Sequence, residues 1–358
     1  MNNLTAKRNH LMVLAGGTGG HIYPALAVAN ALRSNGSEIS WLGTSRGLES
    51  SVVPANQFEL RYIPVSGLRG HGIASWLKAP FKLLWATVKS VQHIRQLNPD
   101  CILAMGGFVA GPGGMAAWLL RKPLIVHEQN AIAGLTNRYL AKLATRVLTG
   151  FRSVGGLPER AVWVGNPVRS DIVRSEKKTN RVVTNILVIG GSQGARSLNI
   201  HLASVFAKQK SSIDVWHQCG RSNAEQVRQS YHSVEFPVRI SEFIDNMAGA
   251  YAWADLLICR AGAMTIAECC AAGKPALLIP FPHSAGDHQM RNAEAMVDAG
   301  AALMLSNAQL PEGVMVQKLH GLLTNHQRLE KMSEAAFSLH KPGALESVVS
   351  VCEEYMNA

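Results

Sequence analysis

The sequence predicts an α/β protein of two nucleotide-binding-type domains, each built on a parallel sheet, facing one another across a central cleft. Three observations predict it. Short apolar runs alternate with helix-forming patterns, which is the rhythm of βαβ units. That rhythm begins twice with the same signal of strand, glycine loop and helix, in "LMVLAGGTGGH" and "ILVIGGSQGAR". Between the halves, "SDIVRSEKKTNRVV" is polar, charged and poor in apolar periodicity, which places a domain boundary between Asn166 and Thr184. The expected division is 1–166, 167–342, and a closing amphipathic helix within 343–358 that packs back on the first domain.

In the first half the predicted strands are Met12–Ala15, Ile39–Leu42, Cys101–Met105, Leu124–His127 and Arg146–Leu148. In the second they lie in "ILVIGG", "DVWHQCG", "VRISEF", "LLICRAG" and "PALLIPFP". Each is a continuous apolar run, as a strand covered on both faces requires. The stretch Cys101–Leu120 has no charge and is long enough to span a bilayer, but five glycines and Pro112 interrupt it. It reads as a buried strand "CILAM", a loop "GGFVAGPGG" and a helix "MAAWLL".

The chain of 358 residues is 47% hydrophobic, enough for two cores, and its formal net charge of +11 implies an acidic partner. The six cysteines form no C-x-x-C pair, so neither a zinc site nor a disulfide framework is signalled and a reducing cytoplasm fits. The segment "MNNLTAKRNH" lacks the apolar core of a signal peptide, which predicts a mature chain beginning near Met1.

Glycine loops between a strand and a helix bring bare N–H groups to a positive helix end, where the default guest is a phosphate. Neither loop fits a named fingerprint. The first has Ile22 where the dinucleotide motif needs glycine, and the second has Ala195 and Arg196 where a P-loop needs glycine and lysine. His21 directly follows the first loop and is a candidate general base, or else a structural histidine. Glu268, in "RAGAMTIAE", could accept hydrogen bonds from both ribose hydroxyls or simply favour a helix start. Gln289, in "DHQMRNAEA", suits the reading of sugar hydroxyls or a solvated helix end. No D-x-D pair or His/Asp cluster offers a divalent-ion seat, so helix N-termini and Arg169 are the expected counter-charges to a leaving diphosphate.

In "GIASWLKAPFKLLWATVKSVQHIRQL", a helical pitch of about 100° per residue puts Lys78, Lys82, Trp85 and Lys89 on one stripe, with Leu77, Leu84, Val88 and Val91 to one side. Tryptophan among lysines suits an anionic bilayer surface, with Ile73, Phe81 and Trp118 nearby. An ordinary amphipathic helix with snorkelling lysines is the other reading. No reading motif or basic-aromatic groove for nucleic acid is present.

Taken in order, "GGTGGHIYPALA", "GGFVAGPGG", "HEQNAIAGLTNR", "GNPVR", "GGSQGA", "RAGAMTIAE" and "DHQMRNAEAM" closely resemble the MurG family of bacterial N-acetylglucosaminyltransferases, from about Leu11 to Leu345. The resemblance implies a GT-B fold with two Rossmann-like domains. It implies transfer of GlcNAc from UDP-GlcNAc to the muramyl 4-hydroxyl of undecaprenyl-pyrophosphoryl-MurNAc-pentapeptide, with inversion, in peptidoglycan biosynthesis. It places donor contacts on Thr18, Gly19, Gly20, Asn130, Arg169, Ser192 and Ile244, the run Ala263, Met264, Thr265, Ile266, Ala267 and Glu268, and Gln289. His21 becomes the expected base, with Glu128 as the alternative. The acceptor pyrophosphate is expected on Gly16, Gly17, Gly106, Gly107, Gly111, Gly113 and Gly114. The bilayer contact is expected on Ile73, Lys78, Phe81, Lys82, Trp85 and Lys89.

No metal and no cofactor are expected, since UDP-GlcNAc is a substrate. The expected place is the cytoplasmic face of the inner membrane, held peripherally and in reach of other cell-wall synthesis proteins, with no role for nucleic acid. Rival readings are a GT-B-like UDP-GlcNAc 2-epimerase and a non-enzymatic nucleotide-sugar sensor at the membrane.

Overall fold

The structure, a computed structural model, describes residues 8–65, 73–174, 183–191, 193–282, 284–311 and 313–358, without the side chains of 73–78 and 285. It divides into two compact units, Met1–Pro167 with Gly343–Ala358, and Val168–Pro342.

Unit 1 runs β1 (His10–Ala15), α1 (Gly19–Ser34), β2 (Glu38–Gly43), α2 (Glu49–Ala55), β3 (Glu59–Tyr62), α3 (Ile73–Leu97) and β4 (Cys101–Gly106). It continues with α4 (Ala110–Leu119), β5 (Leu124–Glu128), α5 (Leu135–Leu143), β6 (Arg146–Thr149) and β7 (Val162–Trp163). The strands form one parallel sheet in the order β3-β2-β1-β4-β5-β6-β7. Alternation along β1 fills both faces: Leu11, Val13 and Ala15 join Ile22, Leu26 and Trp41, while Met12 and Leu14 join Ile94, Ala116 and Leu140. The order reverses between β1 and β4, so ligands are expected beyond their carboxyl ends, where the loops Gly16–Thr18 and Gly107–Val109 stand.

Unit 2 runs β8 (Thr184–Ile189), α6 (Arg196–Ala207), β9 (Ile213–Gln218), α7 (Ala224–Ser230), β10 (Val238–Ser241), α8 (Met247–Trp253) and β11 (Leu256–Cys259). Then follow α9 (Ala263–Ala271), β12 (Ala276–Leu278), α10 (His288–Asp298), β13 (Ala302–Met304), α11 (Gly313–Leu323) and α12 (His326–Ser338). Its parallel sheet is ordered β10-β9-β8-β11-β12-β13, and the switch point between β8 and β11 faces the second glycine loop and the start of α9. The last helix, α13 (Ala344–Met356), belongs to unit 1, where Val348, Val349, Cys352 and Met356 complete the core beside α1.

Three short strands escaped the sequence reading. β3 ("ELRY") is an edge strand with half-exposed residues, β7 has two residues, and β13 has three. The expected loop "GGFVAGPGG" is also corrected. α4 starts at Ala110, because Pro112 falls in its first turn, where a missing N–H costs no hydrogen bond.

Candidate active site

In unit 1, Thr18 is the extended N-cap of α1, and the amides of Thr18, Gly19 and Gly20 have no hydrogen bond among the described residues. Those three amides form an open anion site at the helix start. His21 lies in the same turn, partly exposed, with its ring over Gly106, where a Cβ would come within 2.8 Å of it. Gly106 has φ +116°, and the next residue, Gly107, passes so close to the Gly16 carbonyl that only glycine fits. The loops after β1 and β4 thus touch, with His21 beside the contact.

A chain of hydrogen bonds fixes the state of the His21 ring. Its Nδ1 is 2.9 Å from the Gln129 carbonyl Oε1, which can only accept, so Nδ1 carries the proton and Nε2 keeps the lone pair. Gln129 is buried and donates its amide to the His127 carbonyl at 3.0 Å and to His127 Nδ1 at 3.1 Å. His127 in turn donates Nε2–H to the Gly165 carbonyl at 2.9 Å, and burial lowers its pKa, which keeps it neutral. Sequence reasoning missed both residues, although they share the quoted "HEQN" segment with Glu128 and Asn130.

Glu128 is corrected as a base. It is 1% exposed. Its Oε1 accepts from the backbone and side-chain amides of Asn130, each at 2.9 Å, and its Oε2 accepts from Gly134 N–H at 3.2 Å and Asn137 at 2.9 Å. A carboxylate so enclosed shapes the loop that follows β5. Asn130 lies on that loop, with its amide turned to Glu128.

The expected acceptor cradle is corrected in part. Gly113 and Gly114 lie inside α4 with interior neighbours: a Cβ would meet Leu14 at 2.8 Å and Leu140 at 2.6 Å, respectively. The Gly113 amide is spent on the Val109 carbonyl. Both are packing residues. Gly16 is buried, and the Gly17 amide donates at 2.9 Å to Glu49 Oε2, a fully buried carboxylate that also accepts from the Thr44 amide and hydroxyl at 3.0 and 2.6 Å. The first loop therefore holds an anion of its own at Gly17. Gly106, Gly107 and Gly111 stay at the loop edge.

In unit 2, Glu268 projects from the second turn of α9. Its Oε2 accepts the Tyr251 hydroxyl at 2.9 Å, and Arg169 Nη2 lies 4.0 Å from Oε1. Burial raises the Glu268 pKa, and the Tyr251 hydrogen bond and Arg169 oppose the rise. Tyr251 is buried and fixes the carboxylate, a partner that the sequence reading did not find. The amides of Ala263, Met264 and Thr265 open the helix without partners among the described residues. Ile266 is corrected as a contact: its side chain is in the core and its amide bonds the Gly262 carbonyl. Ala267 follows within the helix and is partly exposed.

The Ile244 side chain is buried, while its backbone N–H and C=O bond nothing among the described residues, as pairing with a base edge requires. Gln289 Oε1 accepts from Phe281 N–H at 2.8 Å, tying α10 to the loop after β12. Ser192 lies outside the described residues. Arg260, also missed, braces the same end of the sheet by donating to the carbonyls of Ile279 and Pro280, to Asn307 and to Ser197.

On α3 the buried side chains are Ala86, Thr87, Ser90 and Ile94, with small Ala86 and Ser90 and a large Ile94 that joins the core beside α4, whereas Phe81, Leu83, Leu84, Trp85 and Val88 are exposed. Trp118 and Leu119 of α4 are exposed too, and Lys89 lies 5.1 Å above the Trp85 ring. The sequence had grouped Leu84 and Val88 away from the lysine stripe, yet both face solvent. The side chains of Ile73 and Lys78 lie outside the described residues. Among the described residues no helix is long and apolar enough to cross a membrane, and no group of three or more His, Cys, Asp or Glu could hold a metal.

The sequence matches the glycosyltransferase family 28 N-terminal domain over residues 11–149 and the C-terminal domain of the same family over residues 185–348. The chain belongs to glycosyltransferase family 28. Two relatives are named UDP-N-acetylglucosamine--N-acetylmuramyl-(pentapeptide) pyrophosphoryl-undecaprenol N-acetylglucosamine transferase. The one from Marinobacter nauticus is 44% identical with 98% of each chain covered, and the one from Nitrosococcus oceani is 45% identical with 96% of this chain and 98% of its own covered. Among solved structures, Acinetobacter baumannii MurG superposes with a TM-score of 0.83 at 35% identity, covering 97% of this chain and 99% of its own. The family is a GT-B one, and the two parallel-sheet units are its N- and C-terminal domains.

Proposed function

We propose that this family 28 enzyme transfers N-acetylglucosamine from UDP-GlcNAc to the 4-hydroxyl of the muramyl residue in undecaprenyl-pyrophosphoryl-MurNAc-pentapeptide, inverting the anomeric centre. The observation that carries the reading is identity of 44–45% over nearly the whole chain to relatives whose names state this transfer. The same relatives leave the 2-epimerase and sensor readings without support.

The geometry supplies a route. His21 Nε2 takes the proton of the acceptor hydroxyl as that oxygen forms its bond to the anomeric carbon. The bond from that carbon to the UDP oxygen breaks, and UDP departs with the electron pair. Charge on the leaving diphosphate is met by the amides that open α9, by the second glycine loop with Ser192, and by Arg169. Glu268 accepts from the ribose hydroxyls, the Ile244 backbone pairs with uracil, and Gln289 and Asn130 read the sugar. Thr18, Gly19 and Gly20 contribute amides beside His21. Helix ends and Arg169 fill the role that a divalent ion would take, so turnover is expected to persist in EDTA.

The acceptor is a lipid, and the exposed aromatic and lysine face of α3 supports a peripheral seat on the anionic cytoplasmic face of the inner membrane. Contact with other cell-wall synthesis proteins belongs to the same proposal. The test is transfer of labelled GlcNAc to a short-chain analogue of the acceptor, with a second incubation of UDP-GlcNAc alone. Transfer product supports the reading, while UDP-ManNAc in the second incubation without transfer would replace it with the epimerase.

A further inference from the structure

A pocket of about 490 Å³ lies within unit 2 between β9, β10 and α8, in the size range of small-ligand sites. It is lined by Asp214, Trp216, Arg239, Asn246, Gly249 and Trp253, none of which belongs to the donor, acceptor or base assignments above. The rings of Trp216 and Trp253 meet at 77° with centroids 5.8 Å apart and form an aromatic corner. Trp216 Nε1–H donates to Ser241 Oγ at 3.0 Å, which fixes its ring. Arg239 lays its guanidinium on that ring, 3.8 Å from the centroid, and a stacked guanidinium keeps its N–H edges free to donate. The side chains of Arg239 and Asp214 make no ion pair or hydrogen bond among the described residues.

We propose that this pocket binds a small dipolar ligand, an amino acid or short peptide, with its carboxylate on Arg239, its amine on Asp214 and an apolar side chain in the corner of Trp216 and Trp253. Three features converge. Alternation puts Asp214 on the same face of β9 as Trp216, and Trp216 pairs with Arg239 across the ladder, so the two charges share one face. A strand spacing of about 4.8 Å and a two-residue step of about 6.6 Å set their Cα atoms roughly 8 Å apart, within reach of one small molecule. The stack on Trp216 holds Arg239 without pairing it to Asp214, so a ligand of both signs satisfies each charge, whereas a singly charged one leaves the other unmatched. The aromatic corner adds apolar and ring contact, which neither charge alone supplies. This site is independent of the transfer reading above.

Calorimetric titration of the full chain tests it. The dipolar probes are phenylalanine and glycyl-phenylalanine; phenethylamine carries the amine alone, 3-phenylpropionate the carboxylate alone, and glycine both charges without the apolar group. At least one dipolar probe is expected to bind about tenfold or more tightly than phenethylamine, 3-phenylpropionate and glycine. Tighter binding of phenylalanine assigns the site to a free amino acid, and tighter binding of glycyl-phenylalanine assigns it to a peptide. Asp214→Asn should weaken the better dipolar probe about tenfold and leave 3-phenylpropionate unchanged. Arg239→Gln should weaken it by a similar factor and leave phenethylamine unchanged. Circular dichroism spectra matching the parent's show that both variants fold. A folded parent that binds neither dipolar probe more tightly than the singly charged ones would overturn the proposal. Dipolar binding that is the same in the parent and in both variants would overturn it as well, since the ligand would then sit elsewhere.

Discussion

Replacing Gln129 by leucine tests the least expected part of the base assignment. The side chain is 1% exposed; its oxygen holds His21 Nδ1–H at 2.9 Å and its nitrogen holds His127. Leucine keeps most of the volume and removes the hydrogen bond to His21 and the two to His127. A neutral hydrogen bond contributes about 0.5–1.5 kcal/mol net, so the reactive tautomer loses roughly 2- to 13-fold in population. Loss of ring orientation adds to this, since removing an outer partner of a functional histidine in metal sites costs about 10- to 100-fold. The expected result is a kcat about 10- to 100-fold lower, with the UDP-GlcNAc KM within about twofold of the parent. Radiolabelled transfer under saturating acceptor gives the rates, and ¹⁵N NMR of the His21 ring gives the tautomer. A folded Gln129→Leu protein with kcat within twofold of the parent would refute the argument, as would a proton found on Nε2 of the parent.

Tyr251→Phe removes one donor from Glu268 and should raise the UDP-GlcNAc KM about fivefold, the equivalent of roughly 1 kcal/mol, with little change for a 2′-deoxyribose donor; steady-state kinetics with both donors checks this. Because burial already raises the Glu268 pKa, the parent's donor KM should climb as pH falls through that raised value, since a protonated carboxyl can no longer accept from both hydroxyls, and in Tyr251→Phe the climb should begin at higher pH. His217, buried between Tyr231 and Asn199, has its pKa lowered from 6.5 to about 3, so the folded state resists its protonation. The stability it contributes is complete above pH 6.5 and is lost toward pH 3, at up to about 1.4 kcal/mol per pH unit, and denaturant unfolding at stepped pH should show a shallower slope for His217→Gln. Changing Lys82 and Lys89 to glutamine should weaken binding to phosphatidylglycerol vesicles by about 30-fold, at roughly 1 kcal/mol per lysine, as read by sedimentation.

Much of the scaffold was legible because buried parallel strands are plain apolar runs and the switch-point loops are marked by glycine. The edge strand β3 was not, since "ELRY" is half exposed and alternates weakly. Glycine itself was ambiguous. Gly106 and Gly107 sit where the two loops touch, but Gly113 and Gly114 serve packing against Leu14 and Leu140, and nothing in the local sequence separates the two uses. His21 could be picked out from its place after the loop, whereas its partner Gln129 stands 108 residues away, and only the pairing of β1 with β4 and β4 with β5 brings them together. Glu128 looked like chemistry from its position at a strand end; its four hydrogen bonds make it a brace for the following loop. Glu49 carried no motif, and its capture of the Gly17 amide follows from the meeting of α2 with the first glycine loop.

The central claim is that this chain moves GlcNAc to a lipid-linked acceptor with His21 as the base. Transfer of labelled GlcNAc from UDP-GlcNAc to the short-chain acceptor, in EDTA, for the parent and His21→Ala, tests it most directly. Product from the parent in EDTA, with turnover about 10²- to 10⁴-fold lower in the variant and donor binding retained, is the predicted result. Equal turnover in His21→Ala would contradict the assignment of the base, and no product from a parent that binds UDP-GlcNAc would contradict the transferase itself.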